Sequence, residues 1–197
     1  MTGGGSGAHL VPRAESGGTA MNALAHCAEA LYVAGRNVTG DEHALEGAAH
    51  RKLSAACSLR RPQPRARKSL LEGGMHAGIA LAMSGIGLAH AMAQAIGAAM
   101  EFITARQMPF VCSRRFALTK RWSGLRFPAS VTLSASDPAA RCDEFARLSG
   151  YGRLRDPGVP EDGLRAVAEV TASRPGALAN PRPASPQQIF ELFRSIW

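Results

Sequence analysis

A chain of 197 residues with 46% hydrophobic residues can bury a real core, as one large domain or two small ones. Aromatic residues make up only 6% while Ala and Gly dominate, which favours closely packed helices over a β-sandwich. The net charge of +8 invites a nucleic-acid partner, but its distribution argues against a specific one. Residues 50–71 hold seven Lys/Arg and no acid, and residues 102–136 hold six Lys/Arg and no acid. The remaining 10 basic and 15 acidic residues sum to −5, so an acidic chain is interrupted by two basic stretches. Neither stretch carries a nucleic-acid fold motif or regular aromatic interleaving. Cys27, Cys57, Cys112 and Cys142 are widely spaced and form no CxxC, which argues against a zinc knuckle or redox pair and fits reduced cytosolic thiols. The opening MTGGGSGAHLVPRAESGG has no apolar core of a secretory signal, so a cytoplasmic protein is expected.

In chain order, the Gly- and Ser-rich residues 1–18 are expected to form a disordered tail, followed by a helical domain over 19–197. A first helix is predicted over 20–34. Its run MNALAHCAEALY sets Asn22 and His26 four apart, on one helical face. Such a pair is either a core histidine satisfied by its neighbour or half of a metal or substrate site. Thr39-Gly40-Asp41-Glu42 reads as a capping box with Thr39 as N-cap, opening a helix near 40–49. Residues 51–66 carry two prolines and no period and read as loop; a helical pattern resumes at Lys68.

Residues 73–100 contain no Lys, Arg, Asp or Glu and at 28 residues are long enough to span a membrane. His76, His90, Gln94, Ser84 and many glycines favour instead two buried core helices, broken at Gly85-Ile86-Gly87. That tripeptide is no phosphate loop: no strand precedes it, and His90 stands where a third glycine belongs. Residues 102–136 show scattered aromatics and no period. A short helix is predicted over 138–149. Val159-Pro160-Glu161-Asp162 should open a helix running to about Ser173, with Pro in the first turn and acids at the positive end of the dipole. Ser185-Pro186-Gln187-Gln188 is a second capping box, opening a last helix with an apolar stripe of Ile189, Phe190, Phe193 and Ile196. No βαβ alternation occurs, so the fold class is all-α.

Three stretches together resemble a known family. MNALAHCAEALY is similar to the motif (Asp/Asn)-Ala-Leu-x-His-x-x-Glu of the iron-containing alcohol dehydrogenases. HAGIALAMSGIGLAHAMAQAIGAAMEF is similar to the family's later Ala-Gly-x-Ala…Gly-Leu-x-His motif, and GVPEDGL, ANPRPAS and the closing helix resemble its C-terminus. Asn22 in place of Asp resembles the maleylacetate reductase branch. The resemblance covers about 19–49, 66–101 and 138–197.

It implies a helical bundle of the dehydroquinate synthase-like C-terminal type, with the family's N-terminal α/β domain missing, and an NAD(P)H-dependent reduction of a carbonyl or its reverse. It implies a divalent metal, Fe or Zn, on one Asp and three His, with Asn22 at the Asp position, His26 the first imidazole and His90 the second. Asn is a weaker, neutral ligand. In the maleylacetate reductase branch the histidines would instead orient and protonate substrate, which makes His26 and His90 the catalytic candidates. Glu29 is either an orienter of an imidazole or a surface carboxylate; His43 and His76 are expected to be structural or exposed. The implied partner is a small carbonyl or alcohol such as a maleylacetate-like compound, with a homodimer in the intact parent, and no membrane or specific nucleic acid. The rival readings are a small membrane protein spanning with 73–100 and a basic nucleic-acid-binding helical protein.

The third family histidine should open a His-Gly-x-x-Asn motif fourteen residues after His90, but position 104 is Thr104. Suppose each new codon takes the last base of one codon and the first two of the next. Codon degeneracy then permits His-Gly-Ala-Ala-Asn-Ala-Ile-Cys-Leu from Ile103 onward, which is the missing motif. Roughly 103–136 therefore reads as translated out of frame, and the opposite shift permits a second such stretch near 50–64. The alternative is a pair of divergent loops. The chain alone is expected to be inactive.

Overall fold

A computed structural model describes residues 13–49, 64–100, 153–156 and 158–197. The described residues form seven helices and no strand, as the all-α reading requires: α1 (Arg13–Ala30), α2 (Val38–Ala49), α3 (Pro64–Ser84), α4 (Leu88–Met100), α5 (Leu164–Ala172), α6 (Pro175–Leu178) and α7 (Pro186–Ile196). Residues 1–12 of the expected tail, residues 50–63 and 103–136 of the basic stretches, and the helix predicted over 138–149 lie outside the described residues.

Helix α1 starts at Arg13 instead of residue 20. Gly17-Gly18 falls in the expected tail, and each glycine costs a helix about 1 kcal/mol, but Gly18 is buried and tertiary contact overrides propensity. The helix ends at Ala30, where the amides of Tyr32 and Val33 both turn back to Glu29 O. Asn37, not Thr39, caps α2: its Oδ1 accepts from Gly40 N at 2.9 Å. The same amide donates through Nδ2 to Met83 O at 2.8 Å, so a contact with the end of α3 selects the cap. Beside it, the exposed Arg36 guanidinium grips both oxygens of Asp41, and that hydrogen bond and charge hold Arg36 above its ordinary pKa. Helix α3 starts at Pro64, inside the stretch read as loop, because proline suits a first helical position that needs no amide hydrogen.

The uncharged stretch is two helices, bent by 99° between Ser84 and Leu88. Gly85 makes the corner with φ +85°, where a side chain is strained. Among the described residues no single helix is long and apolar enough to cross a membrane. Helix α5 opens at Leu164, later than the predicted 159–162. Val159 is instead buried in the core, and its carbonyl accepts from Trp197 Nε1 at 2.7 Å. The Ser185–Gln188 capping box forms in full, with both reciprocal bonds present. In α7 Ile189, Phe193 and Ile196 face the core with Leu192, while Phe190 is partly covered by the Arg165 guanidinium, 4.4 Å from its ring.

Two styles of packing meet in this fold. Helices α1, α2 and α3 lie against one another through Ala and Gly, whereas α4, α5 and α7 enclose the bulky Met92, Ile96, Leu164, Ile189 and Phe193. Small residues let backbones approach: a Cβ on Gly47 would stand 2.8 Å from Cys27 Sγ and 3.2 Å from Gly73 O. Gly74, one residue along, would meet nothing within 4 Å. Gly47→Ala should therefore destabilise by about 1–3 kcal/mol through overpacking, while Gly74→Ala should stabilise by about 0.5–1 kcal/mol through helix propensity. Urea unfolding midpoints read the two signs; a neutral Gly47→Ala would mean that α1, α2 and α3 are not in such close contact.

Candidate functional site

The site is built where α1 meets the start of α4. On α1, Asn22, His26 and Glu29 follow at intervals of four and three, so all three lie along one helical face. The first amides of α4 have no acceptor within their own helix. Glu29 supplies one from α1: its carboxylate accepts from Gly87 N at 2.6 Å, Ala89 N at 2.7 Å and His90 N at 3.4 Å. The negative charge also lies at the positive end of the α4 dipole. Glu29 is 1% exposed, which removes the surface-carboxylate reading. Close approach here needs glycine, since a Cβ on Gly87 would stand 3.0 Å from the Glu29 carboxyl.

The same carboxylate reaches the His90 side chain, with Oε2 2.5 Å from Nδ1. The His90 ring is 3% exposed and stacks on His26 with centroids 3.9 Å apart and planes 13° from parallel. Asn22 Nδ2 donates to His26 Nε2 at 3.2 Å. The structure thus brings Asn22, His26 and His90 together, and adds Glu29 as the group that holds them. His90 Nε2 is buried and has no hydrogen-bond partner among the described residues. Buried polar atoms are normally paired, and an unpaired one calls for a ligand or another explanation. A second imidazole pair, His43 and His76, joins α2 to α3 through Nδ1 atoms 2.8 Å apart, with half-buried, tilted rings. These two are 33 residues apart in sequence, so no local spacing announces them.

The family model described as Fe-containing alcohol dehydrogenase family, C-terminal, matches residues 17–197. The chain belongs to this family. It is similar to 1,3-propanediol dehydrogenase of Citrobacter freundii, 28% identical over 91% of this chain and 50% of that protein. It is similar to maleylacetate reductase 1 of Rhodococcus opacus, 29% identical over 91% of this chain and 50% of that one. The solved maleylacetate reductase from Agrobacterium tumefaciens superposes with a TM-score of 0.85 at 25% identity, covering 95% of this chain and 53% of that one. The chain spans about half the length of these family members. An oxidoreductase family of alcohol and carbonyl chemistry, with the helical C-terminal fold, is thereby established, as the resemblance implied.

The iron of the family name invites a test of the donors present. Parallel stacked rings direct their nitrogen lone pairs side by side, whereas ligands to one ion must converge on it at about 2.0–2.2 Å each. His26 Nε2 is already engaged by the Asn22 amide. Among the described residues no group of three or more His, Cys, Asp or Glu is placed to hold a metal. Among the described residues, Asn22, His26 and His90 as they stand do not fit an ion. Treatment of the purified chain with a chelator should leave its Tm unchanged; a drop of several degrees, restored by Fe²⁺ or Zn²⁺, would overturn this. Replacing Glu29 by Leu leaves three buried amides and His90 Nδ1 without their carboxylate. It should cost about 3–5 kcal/mol in urea unfolding; a loss under about 1 kcal/mol would mean that water takes its place.

Proposed function

We propose that this chain is the substrate-side half of an NAD(P)H-dependent enzyme that reduces a small carbonyl compound, of the maleylacetate reductase or alcohol dehydrogenase type. The observation that carries the reading is the buried Nε2 of His90 beside His26, without a hydrogen-bond partner among the described residues, in a fold shared with those enzymes. Reduction of a carbonyl adds a hydride to carbon and a proton to oxygen. A nicotinamide supplies the hydride when bound; the described residues contain no strand–turn–helix cradle for its phosphates. The proton side falls to this chain. His90 Nε2 donates a proton to the carbonyl oxygen as charge develops there, and takes it back in alcohol oxidation. His26 supports the His90 ring by stacking, and Asn22 sets the orientation of His26.

The same reading makes the 197-residue chain inactive by itself and the active product longer, soluble and cytosolic, and dimeric. It also makes residues 103–136, and a shorter stretch near 50–64, products of a shifted frame, with the missing third histidine restored when 103 onward is read in the other frame. Resequencing the coding DNA from well upstream of Met1 through the codon for Asp137 tests this. An inserted or missing base near codon 103, with a Gly-rich α/β half in frame upstream, is the expected result. The corrected product should then oxidise NADH or NADPH with maleylacetate, or reduce NAD(P)⁺ with 1,3-propanediol. His90→Ala should lower that turnover by about 10²-fold or more. Confirmed codons throughout, or turnover by the 197-residue chain alone, would sink the proposal.

A further inference from the structure

We infer that Glu29 is the positioning residue of this site: it fixes the ring proton of His90 on Nδ1, so that Nε2 is the nitrogen presented to a ligand. This deepens the reading of His90 as the proton-carrying group and, for its functional meaning, rests on it.

An ionised carboxylate is acceptor-only, with about four lone-pair sites. Three backbone amides, Gly87, Ala89 and His90, already donate to Glu29 and cannot do otherwise. They donate to both oxygens, and amide hydrogen bonds of this kind favour the ionised carboxylate. The fourth neighbour, His90 Nδ1 at 2.5 Å, must then donate too, since two acceptors at that distance would repel. A proton on Nδ1 leaves Nε2 bare in the neutral ring and makes it the second N–H in the charged ring. In either state Nε2 is the nitrogen free to exchange a proton with substrate.

The carboxylate cannot turn to suit another arrangement, because the α4 backbone holds it from one side. The imidazole cannot turn either. A half-turn of the ring would bring a carbon against Oε2 and forfeit a charge-assisted bond between two buried groups. His26 lies against the ring face while Glu29 holds its edge, and the two are three residues apart on α1. One turn of α1 therefore grips the ring on two sides. Were Glu29 merely a cap for α4, its amide bonds would suffice and the His90 tautomer would be indifferent to it.

The test is ring-nitrogen NMR on the full 197-residue chain labelled with ¹⁵N-histidine. His90→Asn identifies the His90 signals among the six histidines. In the neutral ring of the wild type, Nδ1 should carry the proton and Nε2 should show the shift of a bare nitrogen. Glu29→Gln offers an amide donor where the ring needs an acceptor, so the Nε2–H form should rise about tenfold or more relative to wild type. A folded Glu29→Gln chain with an unchanged tautomer ratio would overturn the assignment. So would a wild-type His90 with its proton on Nε2, and that spectrum decides the matter if the variant does not fold. Failure of the functional reading shows elsewhere. His90→Ala without effect on turnover of the frame-corrected enzyme would remove the catalytic meaning while leaving the tautomer assignment intact.

Discussion

A carboxylate withdrawn from water is the constraint on which this structure turns. Glu29 has lost its hydration almost entirely, and an unpaired buried charge costs several kcal/mol. The compensation comes from the start of α4, where helix geometry leaves amides without partners. Neither partner is satisfied alone: the carboxylate needs donors and the helix end needs an acceptor. Their union ties residue 29 to residues 87–90, sets where α4 begins, and with the corner at Gly85 sets its direction relative to α3. It also brings His90 against His26. Structural and chemical roles thus share one side chain, and a change at Glu29 reaches the fold and the imidazole together.

The site lies at the seam between the two styles of packing. On one side, Ala and Gly let the backbones of α1, α2 and α3 come close. On the other, α4, α5 and α7 close around large apolar side chains. A glutamate is short, and its carboxylate reaches the α4 amides because Gly87 offers no side chain to hold α1 away. Gly176 in α6 repeats the device from behind, where a Cβ would stand 2.7 Å from Gly87 O. Glycine here serves proximity, and proximity makes the charge-assisted bonds possible. The cost is local helix propensity, offset by burial.

Much of this was legible in local pattern. The Ser185 capping box, the break at Gly85-Ile86-Gly87, the all-α class and the Asn22–His26 pair depend on neighbours within four residues, and the fold contains them. The errors have one physical origin. Thr39 looks like the better local cap, but Asn37 can also reach Met83 O across the fold. Gly17-Gly18 looks like part of a disordered tail until burial of Gly18 outweighs it. Val159 looks like a helix start until the core and the Trp197 indole take it up. In each case a long-range contact outbid a local preference of about 1 kcal/mol.

By itself the sequence determined the helical class, the Ser185 cap, the face shared by Asn22, His26 and Glu29, and, through its motifs, the family. Those features are set by spacing along a helix and by the chemistry of each residue. Only the tertiary structure decided that Glu29 is buried, that it holds His90 by Nδ1, and that the two imidazoles stack instead of converging on an ion. These depend on where α4 lies against α1, about sixty residues away in the chain. No periodicity carries information over that distance; close packing does.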